Sequence, residues 1–380
     1  MEKATEPVEE AAFGVVEELP AAPLSPRSNL AHAWTGHELI VWGGFTVAVM
    51  QAQELSPTET EGLQIEGLQG DGAAFDPNNA TWRMLPPAPL SPRVQPVYAW
   101  AEDRLLVWGG ADDDFLPLAD GAAYLPDEDR WEPLPPAPID GRIAAAGVWT
   151  GEEFLVLGGS VPQGMPPATD PERPPEGAAF DPATGQWRML PPPPDPPPGV
   201  ASDGFESTAV WTGEWLVIWQ GTAGAAYDPG RDAWEVLESP VRLRTTGQTV
   251  VVALDGDRIA VVGVRPQDSA PGTSGIVYDL GRDVADDIPP GWPAWQGFVT
   301  GRSFTAGDTV VVLPYDPPME GQRPAAVAWD TRTGIWRRLP EAMSERGAYA
   351  SAWTGEELLV WGGFDGQTDY NDGMRWRPTD

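Results

Sequence analysis

The stretch "AHAWTGHELIVWGG" at 31–44 returns as "VYAWAEDRLLVWGG" at 97–110, as "AGVWTGEEFLVLGG" at 146–159 and as "ASAWTGEELLVWGG" at 350–363. Each copy is apolar over a strand length, breaks at a short polar turn, becomes apolar again and stops at a glycine pair. That pattern reads as strand, turn, strand. A unit that recurs in register buries its apolar face against its own neighbours, so the repeat constrains the whole architecture.

A second element follows each copy. "DGAAFDPNNATWRML" (71–85), "DGAAYLPDEDRWEPL" (120–134), "EGAAFDPATGQWRML" (176–190) and "AGAAYDPGRDAWEVL" (223–237) are again strand, turn, strand, with Asp, Pro, Asn and Gly supplying the turns. Each unit is therefore four strands. Residues 249–263 with 274–288 keep the pattern without its tryptophans, and 301–313 with 324–339 lose the diglycine. The last unit, from 346, starts a third strand at Asp372-Gly373 and has no fourth. "FGVVEELP" at 13–20 matches the missing piece. The expected fold is all-β, a seven-bladed β-propeller closed by the N-terminal strand, with six blades as the alternative reading of the degenerate units. Residues 1–12 are expected as an acidic disordered segment and 13–380 as a single domain.

Glycine (43) and proline (44) are abundant enough for a disordered chain, but 41% hydrophobic content and 19 tryptophans supply a core. Order then has to come from many short strands and tight turns. A net charge of -34 repels phosphate backbones and anionic headgroups, which argues against nucleic acid as a partner. No stretch has the length and apolarity of a membrane span, and the start lacks the apolar core of a signal peptide; read literally it implies the cytosol. With no cysteine there are no disulfides, thiol nucleophiles or cysteine-ligated metals.

Arginine carries the chemistry in this reading. Arg27, Arg93, Arg142 and Arg346 each stand seven residues before an inner-strand tryptophan, in four units that are consecutive around a closed ring. The other units place Gly204, Gly247 and Phe298 there, with Glu206 and Arg302 offset nearby. In a four-stranded meander the connection into the innermost strand and the loop between second and third strands emerge on one side. The arginine arc thus shares a face with the variable loops 45–70, 111–119 and 160–175. Two readings stay open: the arginines grip a carboxylate-bearing ligand, or each pairs with an acidic neighbour or a loop carbonyl and ties blades together. His32 and His37 lie too far apart along a hairpin to share a metal. Asp112, Asp113 and Asp114 lack the spacing of a calcium loop, and "PPPPDPPP" (191–198) reads as an extended spacer. No metal and no cofactor are expected.

Diglycine after the second strand, an aromatic before Asp-Pro (Phe75, Phe180, Tyr227) and the fourth-strand tryptophan (Trp82, Trp131, Trp187, Trp234, Trp336) make the chain resemble kelch-repeat propellers, the superfamily of the galactose oxidase central domain. The resemblance covers roughly residues 13–376. It implies a fold that hosts enzymes and binding modules alike. Adaptor propellers of this kind line an acidic-peptide pocket with arginines in this part of the repeat. The copper chemistry of galactose oxidase needs a cysteine joined to tyrosine and two histidine ligands, which this chain cannot supply. The expected function is a non-catalytic, monomeric binding propeller recognising a carboxylate-bearing protein or acidic glycan through Arg27, Arg93, Arg142, Arg346, Arg302 and Glu206. One alternative is a sugar-modifying enzyme resembling kelch-type sialic acid mutarotases, with Glu206 as acid/base; another is a structural module of an envelope assembly. Chains with such "WTG" and "VWGG" repeats are frequently secreted, so the resemblance points outward where the literal N-terminus points to the cytosol.

Overall fold

The computed structural model describes residues 12–46, 67–159, 177–193, 209–220, 223–238, 249–263, 275–288, 301–314 and 325–379. Within them the strands form seven four-stranded antiparallel sheets, with one turn of 3-10 helix at Glu341–Ser344. Blade 1 consists of Ala31–Trp34, Leu39–Trp42, Gly72–Asp76 and Thr81–Met84. The inner strands of blades 2 to 7 are Val97–Ala101, Ala146–Trp149, Ala209–Trp211, Thr249–Ala253, Gly301–Ala306 and Ala350–Trp353. The two degenerate units each complete four strands, so the blade count is seven rather than six. The N-terminal strand Val15–Glu18 pairs with Gly373–Arg377, Val15 opposite Arg377 and Glu18 opposite Met374, and so completes blade 7. Of the expected N-terminal acidic segment, residues 1–11 lie outside the described residues.

The recurring letters have local causes. In "WTG" the Thr35 hydroxyl accepts the backbone N–H groups of His37 and Glu38 at 3.1 and 2.9 Å, and Thr150, Thr212 and Thr354 do the same in their blades. This side-chain mimic of a backbone turn sets the hairpin between the first two strands. The fourth-strand tryptophans join blades. The Trp82 indole donates to the Pro20 carbonyl (3.0 Å), Trp131 to Pro86 (3.1 Å), Trp187 to Pro135 (2.9 Å) and Trp234 to Pro191 (2.8 Å). Three of these rings also pack on the "VWGG" tryptophan of the preceding blade: Trp82 on Trp361 (5.6 Å), Trp131 on Trp42 (5.5 Å) and Trp187 on Trp108 (6.1 Å). Each of these fourth-strand rings packs apolar area and satisfies its own indole N–H at the same time.

Towards the end of the ring where "WTG" lies, a polar relay adds to this. Arg83 grips Glu38 of its own blade at 2.6 Å and donates to the Tyr124 hydroxyl of blade 2 at 3.0 Å, and that hydroxyl donates to Asp129 at 2.7 Å. Burial, the largest influence, pushes the Tyr124 phenol up to about 12. Arg188, Glu153, Tyr227 and Asp232 repeat the arrangement between blades 3 and 4.

Two kinds of glycine can be told apart. Gly355, in a "WTG" turn, has φ +102° and open space where a Cβ would stand, whereas Gly363, second of a diglycine, has φ +97° and would place its Cβ 2.6 Å from the Gly347 carbonyl oxygen. Gly355→Ala is expected to cost about 1–2 kcal/mol of backbone strain. Gly363→Ala adds an overpacking penalty of about 1–3 kcal/mol. Urea denaturation of the two variants checks the order.

Candidate functional site: the channel and its rim

The four arginines of the arc are buried, at 1% exposure for Arg27, 0% for Arg93, 3% for Arg142 and 7% for Arg346. Each guanidinium donates to the first diglycine carbonyl of its own blade: Arg27 to Gly43 (3.3 Å), Arg93 to Gly109 (3.0 Å), Arg142 to Gly158 (3.1 Å) and Arg346 to Gly362 (3.3 Å). Among the described residues, three pairs join these arginines to the acid that precedes the third strand, Arg27 with Asp71 (2.7 Å), Arg93 with Asp120 (2.9 Å) and Arg346 with Asp372 (2.6 Å). Arg346 further stacks 3.9 Å from the Tyr370 ring centroid.

The main chain of the same residues points the other way. The Arg27, Arg93 and Arg142 carbonyls accept the N–H of Gly363, Gly44 and Gly110, the second diglycine residue of the preceding blade. Diglycine and arginine therefore recur together because they form one joint. The arginine side chain locks its own blade, and its backbone locks the blade before.

Arg302 behaves differently. Its side chain leaves the inner strand of blade 6, passes blade 7 and donates from Nη1 to His32 Nε2 of blade 1 at 2.8 Å, with the guanidinium 6.0 Å from the Tyr98 ring of blade 2. Residues from three innermost strands thus meet across the axis. An arginine has only donors, so His32 Nε2 must be the acceptor and the imidazole proton must sit on Nδ1. That N–H is then directed at the Tyr98 oxygen (3.0 Å) and the Leu30 carbonyl (3.4 Å), both of which accept. Burial above all, then the Arg302 charge, holds His32 well below the usual histidine range, with the Leu30 carbonyl opposing. The group is a neutral, oriented imidazole.

Sequence reading brought Arg302 forward as an offset ligand residue and weighed His32 only as a metal ligand; Tyr98 was missed. A signal was present. His32, Tyr98, Gly147, Ala209 and Ser351 each precede an inner-strand tryptophan by two, and only the first two are large and polar. Glu206 and the loop residues 47–66 and 160–175 lie outside the described residues, as do Pro194 to Pro198 of the proline run. Asp112 spends its carboxylate on the backbone N–H groups of Asp114 (3.1 Å) and Leu116 (2.8 Å). Among the described residues no group of three or more His, Cys, Asp or Glu could hold a metal, and no helix is long and apolar enough to cross a membrane.

No protein-family model matches the chain, and no curated protein matches it in sequence. In structure it is similar to a fungal alcohol oxidase of the AA5 family in complex with copper, with a TM-score of 0.64 and 16% identity over 96% of this chain and 76% of that one. Copper does not fit the residues present here. The Arg302 guanidinium donates into His32 where a metal would bind, His37 lies in the hairpin at the other end of the strand, and there is no cysteine.

The comparison nonetheless corrects the expected function. A solved structure with this fold is an alcohol oxidase, and the arginines meant to recognise a carboxylate are buried in the joints between blades. A non-catalytic propeller recognising a carboxylate-bearing partner is therefore withdrawn. The mutarotase reading, which needed the same arginines for the sugar, and the envelope module go with it. What the likeness shows is the fold, a seven-bladed β-propeller.

Proposed function

We propose that the protein is a cofactor-independent enzyme that moves a proton on a small oxygenated molecule at the propeller axis, with His32 as base. One observation carries the reading: a buried, neutral imidazole held between Arg302 at 2.8 Å and Tyr98 at 3.0 Å by three separate blades. When a substrate oxygen takes the Arg302 guanidinium, the Nε2 lone pair becomes available. A C–H bond beside a carbonyl then gives its proton to Nε2, and its electron pair moves onto the carbonyl oxygen, which faces Arg302. On an α-hydroxycarbonyl compound the hydroxyl proton passes to the former carbonyl oxygen while Nε2 returns its proton to the former carbonyl carbon, so the net change is an isomerisation that needs no redox partner. Tyr98 keeps the imidazole in the Nδ1–H tautomer throughout.

The rim supports a preorganised site. Asn29, Gln95, Ala144 and Ala348 all adopt φ between 49° and 53°, and their backbones link from blade to blade, Asn29 N–H to Ala348 (2.9 Å), Gln95 to Asn29 (3.3 Å) and Ala144 to Gln95 (3.4 Å). Strained left-handed residues persist only where their surroundings over-determine them, and two of them stand three residues before His32 and Tyr98. The same joints of diglycine, arginine and tryptophan favour reading the units as kelch repeats, and the proposed chemistry needs one chain only.

The test is deuterium exchange from solvent into a panel of hydroxyketones, aldoses and 2-keto acids, followed by NMR. His32→Gln is expected to lower exchange by about 10²–10⁴-fold, with Arg302→Met also impaired. No exchange with the unaltered protein across the panel, or exchange undiminished in His32→Gln, overturns the proposal.

A further inference from the structure

We infer that Arg302 and His32 form a proton-operated latch across the propeller axis, in which the Nη1–H to Nε2 bond ties blade 6 to blade 1 while the imidazole is neutral and parts when the imidazole gains a proton. The inference stands on the bond itself and holds whether or not the channel turns a substrate over. The chemistry is two-state: Nε2 accepts from a guanidinium only through its lone pair, and a protonated Nε2 presents an N–H and a positive charge to another cation.

The place of the latch in the ring gives it leverage. Inner strands of neighbouring blades pack on one another around the circle, but those of blades 6 and 7 touch little. The two inner strands meet through the Phe304 and Trp353 rings, stacked at 6.4 Å, and farther out the blades share a core that includes Leu313, Tyr349 and Trp376. The backbones of these two inner strands therefore lie apart, bridged by side chains, and Arg302 reaches past blade 7 to tie blade 6 to blade 1.

Among the described residues, the ionisable groups facing His32 are Arg302 from blade 6 and Tyr98 from blade 2. The rest of its own strand, Ala-His-Ala-Trp, and the adjacent strand of blade 7, Ala-Ser-Ala-Trp, carry none.

The sign of the pH effect follows. An unfolded histidine titrates near 6.5, and the folded His32 is held well below this by burial and then by Arg302. Between the two values the unfolded chain binds a proton that the folded chain does not. Stability is full above the unfolded value, falls as pH drops below it, and stops falling once the folded imidazole is protonated. The latch opens at that lower titration.

The chain has only two histidines and no cysteine, which makes the test clean. In a His37→Gln background, nitrogen-15 NMR follows His32 alone. With Ser351→Cys added, a small maleimide reports access to the inner strand, its rate normalised at each pH to the unfolded chain so that thiol ionisation cancels. The expected result is an Nδ1–H tautomer at pH 7, and labelling that rises about tenfold per pH unit on acidification until the imidazole titrates, both with one midpoint. His32→Gln, which keeps an acceptor for Arg302, should label slowly at every pH, and Arg302→Met rapidly at every pH. Labelling that does not change across the His32 titration, or that rises equally in His32→Gln, overturns the latch; so does a His32 midpoint near 6.5. The NMR titration needs no change at the axis, so it decides the matter even where a variant there folds poorly.

Discussion

Deletion of residues 1–19 is expected to abolish the cooperative unfolding transition of this protein at room temperature. The segment supplies the outermost strand of the last blade, the Leu19 side chain buried in the core shared by blades 7 and 1, and the Phe13 ring edge-on to Trp376 at 5.6 Å. Burial of one Leu or Phe contributes about 1.5–3 kcal/mol, and the Phe13 carbonyl also satisfies the Trp376 indole at 2.9 Å. Two such side chains, a four-residue ladder and a buried indole together approach the whole stability of an ordinary domain, about 5–15 kcal/mol. The loss is also topological. Without this strand the Gly373–Arg377 edge is open, and the Arg338 carbonyl of blade 6 loses the bond that the Phe13 N–H donates at 2.7 Å. An open, flat edge invites pairing with other copies. Circular dichroism against urea, with light scattering for association, makes the measurement. A truncated chain that unfolds at the same urea concentration as the full one would mean that the ring holds without its N-terminal closure.

The architecture was readable because every unit reports it independently. The copies at 31–44 and 350–363 share turn, strand and diglycine, so the degenerate units could be placed by register even where tryptophan or glycine was gone. The N-terminal strand was readable as the complement of a unit that stops one strand short. The axial group was not readable in that way. Arg302 and His32 lie 270 residues apart and meet only because the ring closes, and no local pattern encodes such a meeting. What local pattern does encode is departure from the repeat, and His32 and Tyr98 depart from it in a register where other copies are small.

The arginines show a second signal, in how residues vary together inside the chain. Units with Arg27, Arg93, Arg142 and Arg346 place Asp71, Asp120, Glu176 and Asp372 before the third strand; units with Gly204, Gly247 and Phe298 place Ala223, Ser274 and Ala325 there. Arginine and acid appear and vanish together. Ligand contact does not demand that linkage, and a structural pair does.

Arg93→Met is accordingly expected to destabilise the protein by about 2–4 kcal/mol. The Arg93 guanidinium is fully buried and donates to the Gly109 carbonyl (3.0 Å), both Asp120 oxygens (2.9 and 3.1 Å), the Ser91 carbonyl (3.1 Å) and the Ser91 hydroxyl (3.3 Å). Methionine fills similar space but strips the Gly109 carbonyl of this donor, and an unsatisfied buried polar group costs about 1–3 kcal/mol. The carboxylate should matter less. Asp120 is 55% exposed, water can replace much of what it loses, and Asp120→Asn is expected to cost only about 1 kcal/mol. Arg231, exposed and paired with Asp228 and Glu235 on its own blade, is the control, with Arg231→Met expected within about 0.5 kcal/mol of the parent. Urea midpoints of the three variants decide between two roles for the arc. The order Arg93, Asp120, Arg231 identifies carbonyl bracing within the joint as its work. If Arg93→Met instead leaves the midpoint unchanged, the guanidinium is dispensable to the frame, and the arc returns to contention as a surface for ligands.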